Sequence, residues 1–203
     1  KKTFIADKAN MVVPVTVKYN PVDCGLVGKT VVFFEYMTTL GKDVASHADL
    51  EDEGQSMRHP KLHTTLHESE SGVKEIHSSG IVNLTDTSDY SELKKGFTFD
   101  FVAKFINADT GNVINIEGKE AIVKKTVAVD SDEGTIEMDY SFDIQKSGLI
   151  KSDGTVSDVV CYEYVYYKGE LLFAEEDIEN RDQTIRISPI NGKLTIHKRE
   201  LQN

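Results

Sequence analysis

Glu35, Asp49 and Gln55 recur as Glu163, Asp177 and Gln183, each 128 positions further along the chain. A glutamine at a strand start is usually a ladder residue with a solvated amide. Its carboxamide carbon is also an electrophile, open to a nucleophile when a nearby acid protonates the oxygen or the departing ammonia. The reaction would be acyl transfer, with a hydroxyl, a base and an acid in the three roles. The acid is suggested by "VVFFEYM" and "VVCYEYV", where Glu35 and Glu163 interrupt apolar strand-like runs. Strand alternation puts Cys161, Glu163 and Val165 on one face and Tyr162 and Tyr164 on the other. Burial among small apolar residues would raise the Glu163 pKa and keep it protonated near neutral pH. A solvent-facing Glu is the plainer reading of either copy alone; its return among apolar neighbours in both favours a buried functional acid.

The repeat fixes the elements that must position these groups. "KKTFIAD" at 1–7 returns as "KKTVAVD" at 124–130, and "GL" at 25–26 returns at 148–149, both at an offset of 123. Beyond that the offset is 128, which places a five-residue insertion in the loop "IKSDGTVSD", where a surface connection tolerates it. Residues 1–59 are therefore expected to be the C-terminal half of one unit and 60–190 a complete unit. Pro60 and Pro189 mark the exits as short, extended connectors. Residues 191–203, with "NGKLTIHKRE", read as a linker or the first strand of a following module. "KKTFIAD" begins inside a strand pattern, so the native N-terminus is expected upstream.

The local pattern is β throughout. "TFIADKANMVVPVTVKY", "GFTFDFVAKFI", "TIEMDYSFDI", "VVCYEYVYY" and "QTIRISPI" alternate apolar and polar residues with many β-branched and aromatic positions. Turn signals such as "NADTGN", "SDEG", "KSDG" and "YKGE" separate them. Many short strands at this spacing predict an all-β, immunoglobulin-like sandwich whose first and last strands are neighbours or near neighbours.

Composition narrows the partners. The chain has 203 residues, 39% of them hydrophobic and 28% charged, enough for a packed core. Lys and Arg number 23 against 34 Asp and Glu, and the resulting charge of −11 repels phosphate backbones and anionic lipid heads, so nucleic acid is not an expected partner. No apolar run approaches the roughly 20 residues of a membrane span. Cys24 and Cys161 fall at non-equivalent positions of different repeats, which argues against a disulfide framework and leaves the compartment open.

The stretch "VFFEY…GKDVASHADLEDEGQS" resembles the VaFE repeat of Gram-positive surface proteins, the T-Q ester-bond domain of adhesin stalks. "PKLHTTLHESESG" at 60–72 resembles that family's opening strand, "IVNLTDTSDYSEL" at 81–93 its Asp-Thr-x-x-Tyr segment, and "FVAKFINADTGNVI" the hairpin that follows. The resemblance extends over nearly all of 1–189. It implies that a Thr of the opening strand attacks the carboxamide of the closing-strand Gln and expels ammonia, leaving an intramolecular ester. By motif position these are Thr64 and Gln183. Glu163 resembles the family acid, Asp86 the Asp of the "DT" element, and Asp177 the Asp of the "HxD" turn. The family turn carries a His eight residues before the Gln; 1–59 keeps it as His47, with Glu35 and Gln55, whereas the complete unit has Glu175 there. An exposed Glu is a weaker base near pH 7 than a neutral imidazole, so the departure puts the rate of ester formation in question. The partial unit has the opposite defect, since its Thr strand is not in this chain.

A cross-link between residues 64 and 183 would contribute roughly 4–5 kcal/mol on the chain-entropy model, and it would route force from the first strand to the last along a covalent path. The expectation is a stalk domain of a cell-wall-anchored, extracellular adhesin or pilin-like protein. It is not a turnover enzyme and needs no cofactor; its partners are neighbouring repeats of the same polypeptide, with a host-surface ligand engaged through other domains. The alternative is an adhesin module that binds a host protein or glycan without an internal cross-link. His59, His63, His67 and His77 lie close together without a cysteine and read as hairpin polar residues, not a metal site. Lys198 in "GKLTIHK" resembles an isopeptide-forming Lys of pilin modules, although a plain terminal strand is the simpler reading.

Overall fold

The computed structural model describes residues 1–188, so Pro189, residues 191–203 and Lys198 lie outside the described residues. The chain divides into two compact units, Lys1–His59 and the chain from Pro60.

In the first unit, β1 (Lys29–Val32), β2 (Glu35–Thr39), β3 (Lys42–His47) and β4 (Ser56–His59) form two antiparallel pairs, β1 with β4 and β2 with β3. A 3₁₀ turn, Glu53–Gln55, leads into β4, and the Asp52 carboxylate caps it by accepting the Gly54 N–H at 2.7 Å.

The second unit runs β5 (Lys61–Glu68), β6 (Glu75–His77), β7 (Ile81–Ser91), β8 (Thr98–Asn107), the short β9 (Asn115–Ile116) and β10 (Lys119–Glu120), β11 (Ile122–Ala128), β12 (Glu133–Asp143), β13 (Val159–Tyr167), β14 (Glu170–Glu175) and β15 (Thr184–Ser188). One sheet has the order β12-β7-β5; the facing sheet has the order β11-β8-β13-β15-β6, with β14 also on β13. The all-β, immunoglobulin-like sandwich expected from strand alternation is what forms. Leu62 and Leu66 of β5, Leu84 of β7, Met138 of β12, Phe101 and Phe105 of β8 and Val165 of β13 meet in the core, and each such side chain contributes about 1.5–3 kcal/mol on burial. Tyr140 stacks on Phe105 with centroids 4.8 Å apart. Tyr90 lies directly over Gly134, its partner on β12. A Cβ at Gly134 would come within 2.6 Å of the Tyr90 hydroxyl, so the ring requires the glycine.

One expectation is overturned. "TFIADKANMVVPVTVKY" forms no strand: residues 1–28 carry none. Its counterparts in the second unit are β11 and β12, whose ladders run to β8 and β7, and the first unit contains no equivalent of either partner. Alternation without a partner leaves backbone groups to water. The first and last strands are near neighbours, as expected, packed against each other across the sandwich with β5 in one sheet and β15 in the other.

Candidate functional site

The site lies where β13 changes partners. Val159 and Val160 pair with β15, whereas Glu163 to Tyr167 pair with β14. Between them the chain leaves β14 at Glu175 and returns through a second 3₁₀ turn, Arg181–Gln183, which Asn180 caps by accepting the Asp182 N–H at 2.9 Å. That detour leaves room on the inner edge of β13, and Gln183 fills it, fully buried.

β5 enters from the facing sheet. Its alternation turns Leu62, Thr64 and Leu66 inward and leaves Thr65 half-buried on the other side. The Gln183 Nε2 donates to Thr64 Oγ1 across the core, joining residues 119 apart in the chain. Directly across the ladder from Thr64 is Ser88, with Asp86 two residues before it on the same face of β7. The Ser88 hydroxyl donates to Glu163 Oε1. Thr64, Asp86, Ser88, Glu163 and Gln183 are all buried.

The electrostatics separate the two acids. Burial first, and then the neighbouring Asp86 charge, push Glu163 up to about 9. Burial also raises Asp86, but hydrogen bonding from Glu163 and Cys161 and the charge of Lys74 oppose it, and its pKa is about 6. Burial and mutual repulsion push both carboxyls up, Glu163 further than Asp86, which favours a single proton on the pair near neutral pH. Although the two carboxyl groups couple, neither Asp86 oxygen has a well-aligned hydrogen-bond partner. Cys161, buried beside both, has its thiol pushed well above the ordinary range by that burial.

Among the described residues, the buried side-chain oxygens without a well-aligned hydrogen-bond partner are those of Asp86, Glu163 Oε2, Gln183 Oε1 and Gln55 Oε1. Such groups cost about 1–3 kcal/mol each and are rare in folded proteins. Here they gather on the residues that could carry acyl transfer, and on Gln55, the counterpart of Gln183.

The remaining sequence candidates fall elsewhere. Asp177 is exposed, and its carboxylate accepts the Glu179 N–H at 2.9 Å; Asp49 accepts the Glu51 N–H in the same way at 2.9 Å. The repeated Asp thus builds the turn ahead of the Gln and does not join the buried cluster. Glu35 is exposed on β2 opposite His47. The His47 Nε2 lies 2.9 Å from Asp52 Oδ2. In the second unit the same two positions are Glu175 and Asn180, and Glu175 stands opposite Glu163 in the β13–β14 ladder. Sequence reasoning missed Ser88 and Lys74. Ser88 was accessible, being two residues beyond Asp86 on an alternating strand; Lys74, between a turn and a three-residue strand, gives no local signal.

A comparison with curated proteins finds no match. Among solved structures, a bacterial adhesin from Mobiluncus mulieris containing intramolecular disulfide, isopeptide and ester bond cross-links is similar, with a TM-score of 0.53 and 15% identity. The match covers 65% of this chain and 58% of that one. A second crystal form of that adhesin gives 0.50 and 16% over the same shares. At such identity the likeness speaks for the fold. The family model for the T-Q ester bond containing domain matches residues 1–59 and again residues 60–187. The chain therefore belongs to the T-Q ester bond containing domain family.

Proposed function

We propose that residues 60–188 form a self-cross-linking structural domain of a cell-surface adhesin, closed by an ester between Thr64 and Gln183. The observation that carries this reading is the buried contact between the Thr64 hydroxyl and the Gln183 carboxamide, in a cluster with Glu163, whose pKa burial raises. Thr64 Oγ1 attacks Cδ of Gln183, forming the C–O bond. Asp86, the ionised member of the pair, takes the hydroxyl proton; Glu163 protonates the carboxamide nitrogen, and the C–N bond breaks to release ammonia. The Asp86 proton then returns to Glu163 within the pair, so the net change is one ammonia lost. The Ser88 bond occupies Glu163 Oε1 and leaves Oε2 to carry the proton. The reaction occurs once per molecule, so the domain is not an enzyme in the turnover sense, and the surrounding core keeps water from the ester.

Residues 1–59 are, in the same reading, the C-terminal half of a second such unit, holding Glu35, His47 and Gln55 without a Thr strand. A tandem array fits a load-bearing stalk on an extracellular, cell-wall-anchored protein of VaFE type, with neighbouring repeats as the partners and host contact made through other domains. Intact mass under denaturing conditions tests the chemistry. The wild-type protein is expected to be lighter than its sequence by one ammonia, and Thr64→Ala to have the full sequence mass. An unmodified wild-type mass together with measurable binding of a host protein or glycan would favour the ligand-binding alternative.

A further inference from the structure

We propose that Lys74 is a positioning residue for the Thr64–Gln183 reaction, clamping the opening strand to the turn that carries the glutamine. The inference rests on the reading that these two side chains react. Lys74 Nζ donates to the backbone carbonyls of Leu66 and Asp182. Leu66 lies two residues beyond Thr64 on the same face of β5, and Asp182 immediately precedes Gln183. One ammonium thus ties together two backbone segments, each within two residues of a reacting atom. No ladder does this, because β5 and β15 belong to different sheets.

Lys74 is itself held in place. Its carbonyl accepts the Arg186 N–H at 2.9 Å, and from Glu75 onward β6 runs parallel to β15. The residue is therefore fixed to the strand that follows Gln183 and reaches from there to the strand that carries Thr64. Its charge has a second use. It opposes the rise of the Asp86 pKa and so keeps that carboxylate available as a base, in a unit where Glu175 replaces the imidazole that His47 supplies in the other copy. The ionisable groups facing Lys74 are Asp86 from β7 and Asp182 from the turn, and those facing Asp86 are Lys74, Glu163 and Cys161. Burial lowers the Lys74 pKa, while both aspartates support the charged form.

The test follows ammonia loss by intact mass in full-length wild type, Lys74→Met and Lys74→Arg, each isolated from inclusion bodies as denatured, unreacted chains and then refolded across pH 5–8, with circular dichroism to establish folding. Lys74→Met is expected to cross-link on the order of tenfold to a hundredfold more slowly, with the acid limb of its pH–rate profile displaced upward because Asp86 loses its cation. Lys74→Arg, which keeps the charge and can donate to both carbonyls, is expected to restore most of the rate and the original limb. If Lys74→Met does not fold, Lys74→Gln, which keeps a donor but no charge, takes its place in the comparison. Wild-type rates in the neutral variant overturn the proposal, as does equal slowing of the neutral and Arg variants with no displacement of the limb. A wild-type protein that never loses ammonia overturns both this role and the ester reading, whereas loss from wild type and the neutral variant alike sinks the Lys74 role alone.

Discussion

Glu35 and Glu163 hold the same place in the same hairpin, opposite His47 and Glu175, yet Glu35 stands in solvent and Glu163 is fully buried. The two hairpins match pair for pair, down to a register shift after Met37 in one and after Val165 in the other. Val32 pairs with Ser56 as Val160 pairs with Thr184, and a capped 3₁₀ turn precedes each of these ladders. What differs is the company. In the second unit β8 lies along β13 and the sheet of β5, β7 and β12 closes over it; the first unit has no such layer, and its counterpart of β13 breaks into β1 and β2. The local sequence therefore sets hairpin, turn and register, while the opposing sheet supplies burial and, through burial, the raised pKa of Glu163. An aligned set of residues becomes a buried cluster only where the core is complete.

Three perturbations would break or sharpen that contrast. The largest effect is expected for Glu163→Gln, which keeps the shape of the buried side chain and removes its proton. Cross-linking measured by intact mass should slow by about 10²–10⁴-fold, the range for loss of a general acid, while the fold is retained. Wild-type rates would mean that burial of this Glu is incidental to the chemistry. Next comes Glu175→His, which gives the complete unit the residue its partial copy has at His47. An imidazole with a pKa near 6.5 is a better base at neutral pH, so ammonia loss at pH 7 is expected to accelerate by roughly tenfold. No acceleration would show that Asp86 already suffices.

The third perturbation concerns stability. In Thr64→Ala, which cannot form the ester, both buried acids have folded pKa values raised above their unfolded ones, to about 6 for Asp86 and about 9 for Glu163. Such groups stabilise the fold fully below their unfolded pKa values, and the contribution is lost as pH rises through the folded ones. Denaturant unfolding of this variant should therefore show stability falling between about pH 4 and 9, by at most about 1.4 kcal/mol per pH unit for each group titrating. Stability that rises over this interval would contradict the protonated Glu163.

Much of this was legible in the sequence. The 128-residue offset located the hairpin, the turn and the Gln because those features depend on local alternation and capping. Thr64 and Asp86 came from motif position, and the meeting of Thr64 with Gln183 and of Asp86 with Glu163 depends on contacts across two sheets that periodicity does not encode. The repeated Asp49 and Asp177 misled because a turn-forming carboxylate and a reactive one recur equally well. The strand pattern of 1–19 misled because alternation records a preference for a sheet, not the presence of a partner. Ser88 is placed by ladder register and Lys74 by a long side chain reaching backbone carbonyls, neither of which leaves a mark at the level of residue type.

The most direct measurement is peptide mapping of the wild-type protein after digestion in denaturant. The account predicts one species in which the Thr64 peptide is joined to the Gln183 peptide with the loss of one ammonia, separable by hydroxylamine. Recovery of the two peptides apart, with Gln183 intact or merely hydrolysed to Glu, would contradict it.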